Sequence, residues 1–121
     1  DHSSYHNRGV AYACCGQFLK AIDDYSESIR LMPNGAVFHD RGLSYNHLSE
    51  YQKAILDYDE AIRLYPHPVP ELYTVRAGAH EALSMFEAAA EDRAMAAGIT
   101  RLDEYLVRIL ISKRIRSARR A

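Results

Sequence analysis

The sequence predicts an all-α fold: three stacked helix–turn–helix units followed by a C-terminal capping helix. A composite motif returns three times, as Tyr5-x-x-Arg8-Gly9-x-x-Tyr12, Phe38-x-x-Arg41-Gly42-x-x-Tyr45 and Tyr73-x-x-Arg76-Ala77-x-x-His80. Each copy leads to a second group, namely Ala21, Asp24 and Tyr25, then Ala54, Asp57 and Tyr58, then Ala89, Asp92 and Arg93. The alanines stand 33 and then 35 residues apart (21 to 54, 54 to 89). A period of about 34 residues is that of a helical solenoid repeat. Apolar residues also recur at helical spacing within a unit, as in Tyr51, Ile55, Tyr58 and Ile62.

Taken in order, these signals predict helices near 4–15, 18–31, 36–48, 51–64, 70–83 and 86–97. Gly16 marks the turn of the first unit. Ser49-x-x-Gln52 and Ser84-x-x-Glu87 read as capping boxes at the equivalent turns. Pro33-Asn34-Gly35 and Pro66-His67-Pro68 separate the units. Gly9 with Ala21, and Gly42 with Ala54, let paired helices approach closely while the aromatics fill the wider gaps. The units are expected at 3–35, 36–68 and 70–99, making one domain over 1–99. Gly98 is expected to end the sixth helix and Thr100-x-x-Asp103 to open a seventh, running to about Arg116. Its stripe of Leu102, Tyr105, Leu106, Ile109 and Leu110 is expected to fold back on the 86–97 helix. Residues 100–121 thus form the cap that an exposed repeat end requires.

This pattern resembles the tetratricopeptide repeat, which runs aromatic, Leu, Gly, Tyr, then Ala, aromatic, Ala and Pro. The first unit matches at Tyr5, Gly9, Tyr12, Gly16, Ala21, Tyr25 and Pro33. The second matches at Phe38, Gly42, Tyr45, Tyr51, Ala54, Tyr58, Ala61 and Pro66. The third keeps Tyr73, Phe86, Ala89 and Ala96 but departs at Ala77, His80 and Arg93. The resemblance covers roughly residues 3 to 100 and implies a right-handed α-solenoid whose first helices line a concave groove for a protein segment. The groove residues it implies are His6, Val10, His39, Leu43, Asn46, His47, Glu71, Thr74 and Glu81. Family members that grip acidic chaperone tails use a Lys/Asn/Asn/Lys/Arg clamp. The matching positions here are His6, Val10, Asp40, Glu71 and Val75, so a chaperone tail is not the expected partner.

Arg8/Asp24, Arg41/Asp57 and Arg76/Asp92 each sit 16 residues apart and are expected to form partly buried structural salt bridges, within or between repeats. Cys14 and Cys15 are adjacent, a spacing that suits two free thiols in a reducing, cytoplasmic setting. The six histidines show no spacing that converges on a metal, so no metal or cofactor is expected. No nucleophile elbow or phosphate loop appears, which disfavours an enzyme. Charge is unevenly spread: residues 1–107 hold nine Lys/Arg and 16 Asp/Glu, a net of −7, while residues 108–121 hold six bases and no acid. The expected function is that of a scaffold or adaptor using the groove. Two alternatives stay open: a nucleic-acid or anionic-membrane accessory acting through the basic C-terminal helix, and a self-assembling scaffold.

Overall fold

In the computed structural model, residues 1–120 are described, Arg120 by its backbone only; Ala121, the last residue of the expected capping segment, lies outside the described residues. The described residues form six helices: α1 (His2–Cys14), α2 (Phe18–Leu31), α3 (Gly35–His47), α4 (Tyr51–Leu64), α5 (Pro70–Ala82) and α6 (Phe86–Arg120). They pair as α1 with α2, α3 with α4 and α5 with α6, and neighbouring pairs pack α2 on α3 and α4 on α5. First helices also touch one another, α1 with α3 and α3 with α5, so they line one side of an all-helical solenoid. The helix starts follow local chemistry. Asp1 and Asn34 cap α1 and α3, their side chains accepting from Ser4 N and Ala36 N. Pro70 occupies the first turn of α5.

The turns inside the units are not the expected capping boxes. Gly16, Ser49 and Ser84 all adopt positive φ, at 74°, 60° and 60°. In each turn the next residue's N–H reaches back to the first helix: Gln17 N to Tyr12 O, Glu50 N to Tyr45 O, and Met85 N to His80 O at 2.8–2.9 Å. The positive-φ residue itself donates to Ala13 O, Asn46 O or Glu81 O. These are Schellman C-caps, which satisfy the last carbonyls of the first helix. Ser49 and Ser84 therefore end α3 and α5 rather than starting α4 and α6.

Close packing explains the small residues. Ala21, Ala54 and Ala89 are buried at 0–1% exposure where paired helices cross. A Cβ added at Gly9 would lie 2.6 Å from Tyr25 Cε1, and one at Gly42 2.6 Å from Tyr58 Cε1. In the third unit the equivalent pair is Ala77 and Arg93, and Ala77 is fully buried. The two departures belong together: without a ring at 93, a methyl fits at 77. Ser28, in place of the family's second Ala, is also fully buried and donates to His2 O at 2.8 Å.

The C-terminal segment corrects the sequence expectation. Gly98 does not end a helix, and among the described residues no separate cap folds back; α6 runs unbroken for 35 residues. One glycine costs a helix interior only about 1 kcal/mol, and Ala94, Met95, Ala96 and Ala97 precede it with no proline beyond. Thr100 does not act as an N-cap; its hydroxyl donates back to Ala96 O at 3.1 Å, a bond made from within a helix. From Thr100 to Arg119 every residue but Ile109 is exposed, so the stripe at Leu102, Tyr105, Leu106 and Leu110 faces solvent.

Candidate functional site

The recurring arginines sit between helices. Arg8 donates from Nε and Nη2 to the two oxygens of Asp24, both at 2.8 Å, and Arg41 does the same to Asp57, also at 2.8 Å. Arg76 Nη2 reaches Asp92 Oδ1 at 2.7 Å. The flanking rings follow from helical spacing: residues three before and four after an arginine share its face. Arg8 lies over Tyr5 and Tyr12 at 5.8 and 5.9 Å, and Arg41 over Phe38 and Tyr45 at 5.5 and 5.8 Å. In the third unit His80 replaces the second ring and instead places Nδ1 2.9 Å from Asp92 Oδ2. The other edge of the guanidinium reaches the preceding unit. Arg41 Nη1 donates to Ser26 Oγ at 3.1 Å, and Arg76 Nη1 to Asp59 Oδ1 at 2.8 Å. Each of these two arginines ties three helices together.

Electrostatics follow the contacts. Hydrogen bonds from Arg8 hold the Asp24 carboxyl below the usual carboxylate range against the opposing effect of burial. The partner carboxylates likewise raise the guanidinium groups of Arg8, Arg41 and Arg76. Burial raises the Tyr25 and Tyr58 phenols. The donors of Arg41 and Arg76 are thus engaged by the carboxylate of their own unit and by Ser26 or Asp59 of the preceding one.

On the groove side, His6 Nε2 lies 2.7 Å from Asp40 Oδ2 and links α1 to α3. His47 stacks on Phe18 with centroids 4.5 Å apart and planes 5° apart. A shallow cleft between these helices is lined by Val10, Cys14, Phe18, Leu43 and His47. His39 meets Tyr58 edge-on, as His6 meets Tyr25. His39 Nε2 and Asn46 Oδ1 are buried without a hydrogen-bond partner among the described residues. Glu81 pairs with Arg93 across the α5–α6 turn. Glu71 is exposed, and Thr74 is turned back to its own helix, donating to Pro70 O. The structure thus brings Val10, Leu43 and His47 around one cleft, with His6 reaching it only through Asp40, while Glu71, Thr74 and Glu81 stand apart on α5. Sequence reasoning missed Phe18. Its signal was its place two residues past Gly16, at the first turn of α2, where a ring meets the end of the next unit's first helix.

Cys14 and Cys15 are exposed free thiols. Among the described residues no three His, Cys, Asp or Glu side chains converge to hold a metal ion, and no helix is long and apolar enough to cross a membrane.

Helix pairs at this period, with small residues at the crossings, define a class of helical-repeat proteins. Tetratricopeptide repeat family patterns match residues 2–34 and 36–68, and the chain belongs to that family. No curated protein sequence matches it. Among solved structures it is similar to the TPR domain of Arabidopsis OM64, at 26% identity and TM-score 0.75, covering 78% of each chain. It is also similar to the first TPR of Spaghetti (RPAP3) bound to the HSP90 peptide SRMEEVD, at 25% identity and TM-score 0.74, covering 78% of this chain and 75% of that one. MamA shares the fold at 22% identity and TM-score 0.83, over 87% of this chain and 61% of that one.

Proposed function

We propose that this chain is a non-enzymatic interaction scaffold that takes a protein segment along the first helices, centred on the cleft between α1 and α3. The observation that carries this reading is the character of that cleft: Val10 and Leu43 form its apolar floor beside the His47–Phe18 stack and the His6–Asp40 link. Exposed apolar surface rimmed by polar groups suits a peptide. Family and fold support an interaction module. The two exposed thiols support a reducing compartment such as the cytoplasm.

The segment is neutral or basic, unlike the acidic SRMEEVD held by the Spaghetti (RPAP3) domain. His6 is engaged by Asp40, and Glu71 and Val75 stand where a chaperone-tail clamp places bases. A peptide carboxylate there would meet carboxylates.

The test is capture of partners on immobilised chain, wild type beside Asn46→Ala/His47→Ala, with SRMEEVD as a titrated control. Loss of capture in the variant, with its melting temperature unchanged and no saturable SRMEEVD binding, is expected. Unchanged capture moves the site off the first helices, and tight SRMEEVD binding overturns the charge argument.

A further inference from the structure

The cleft between α1 and α3 has largely apolar walls and carries one carboxylate. Val10, Phe18, Tyr25, Leu43 and His47 line it together with Asp40, around a space of about 380 Å³. A space of that size admits a side chain rather than a helix. Asp40 is 32% exposed, and among the described residues only His6 pairs with it, through Oδ2. Its second oxygen, Oδ1, takes no side-chain donor among the described residues. The charge of Asp40 reaches into the cleft: burial first, and then this carboxylate, raise the Tyr25 phenol.

The repeat itself does not require the acid. One unit on, Val75 holds the position equivalent to Asp40. There His39, the counterpart of His6, packs edge-on against Tyr58 as His6 packs against Tyr25. It does so with Nε2 buried and unpaired among the described residues. The stack thus closes its second interval without a carboxylate, so Asp40 gives the first interval something that packing does not call for.

We infer that the cleft is a pocket for one lysine or arginine side chain of the bound segment, with Asp40 as the residue that selects it. The methylene stem lies along Val10 and Leu43 while the cationic head keeps to the polar end. That head meets the aromatic lining and donates to Asp40 Oδ1, a charge-assisted bond. A leucine in the same place would cover Asp40 and leave its free oxygen without a donor, and a glutamate would be repelled. The inference rests on the reading of this cleft as the seat of a protein segment. It narrows that segment from neutral or basic to one with a base at a fixed position.

The test is selection from a random peptide library displayed on phage, wild type beside Asp40→Asn. This variant keeps the size of the side chain and an acceptor for His6, and both chains should melt alike by circular dichroism. Peptides recovered on the wild type should share a lysine or arginine at one position, and those recovered on Asp40→Asn should lose that preference. One recovered peptide is then synthesised with the base and with norleucine in its place, and binding is read by fluorescence anisotropy. Removing the base from the peptide or the carboxylate from the chain should each weaken binding by about tenfold. Both changes together should weaken it little more than either alone, because one contact is lost. Recovered peptides without a shared base, losses that simply add, or a variant that keeps the preference overturn the proposal and leave a segment-binding groove in place. Recovery of no saturable peptide overturns that reading and the proposal with it.

Discussion

Gly42 and Gly78 make the same residue type answer to opposite surroundings. A methyl at Gly42 meets the fully buried Tyr58 ring at 2.6 Å and the Ala54 carbonyl at 3.3 Å, whereas one at Gly78 meets nothing within 4 Å. Either change to Ala gains about 1 kcal/mol of helix propensity, but overpacking of about 1–3 kcal/mol applies at Gly42 alone. Chemical unfolding should therefore show Gly42→Ala less stable by up to about 2 kcal/mol and Gly78→Ala more stable by up to about 1 kcal/mol. The arginines differ in the same contextual way. Arg41 is 19% exposed and Arg8 60%. Arg41→Ala strands the buried Asp57 and should cost about 3 kcal/mol; Arg8→Ala should cost distinctly less, because water reaches Asp24 once the side chain is gone. The Arg8 contribution also has a pH signature. The Asp24 carboxyl is depressed in the folded state by Arg8, so its stabilisation is complete above the unfolded carboxylate value of about 3.9 and is lost as pH falls through the folded value. The gap between wild type and Arg8→Ala, measured by urea unfolding, should stay constant from neutral pH down to about 4 and close below it.

Helices were legible in the sequence wherever a periodic pattern met a strong breaker. The proline clusters at 33 and 66 separate the units, and all five helices before α6 begin and end within two residues of expectation. Turn chemistry was less legible, because Ser-x-x-Glu has two readings. It fits a capping box, yet a serine following a first helix can equally close a Schellman motif, and only its in-phase alignment with Gly16 distinguishes the two. Gly98 failed as a stop signal for a related reason: a glycine ends a helix only when the chain beyond has somewhere to turn, and here helix formers continue. At the groove, the first-helix residues follow from the repeat, but Phe18 and the His6–Asp40 link do not, since both join residues of different units. The turn assignment has a consequence that calorimetry can read. Ser49 and Ser84 hold a left-handed backbone that costs a non-glycine residue about 1–2 kcal/mol, partly offset by the chain entropy glycine loses on folding. Ser49→Gly and Ser84→Gly should each stabilise by about 0.5–1 kcal/mol, where a capping-box serine would lose stability on the same change.

As a whole, the molecule has two parts with different energetics: a stack of helix pairs held by mutual burial, and a helical arm that shares a backbone with the stack but not its core. The buried residues end at Asp92, and α6 packs on α5 alone among the described helices. In a solenoid, stability is the sum of what each unit contributes and what neighbours exchange, so residues that touch no neighbour add little to it. A folded-back cap would behave otherwise, because each of its buried leucines or isoleucines would contribute roughly 1.5–3 kcal/mol. Removal of residues 101–121 separates the two arrangements. The truncated chain should unfold cooperatively with a midpoint close to that of the full chain in dilute solution. A truncated chain that aggregates or loses its cooperative transition would show that the arm folds back as a cap after all.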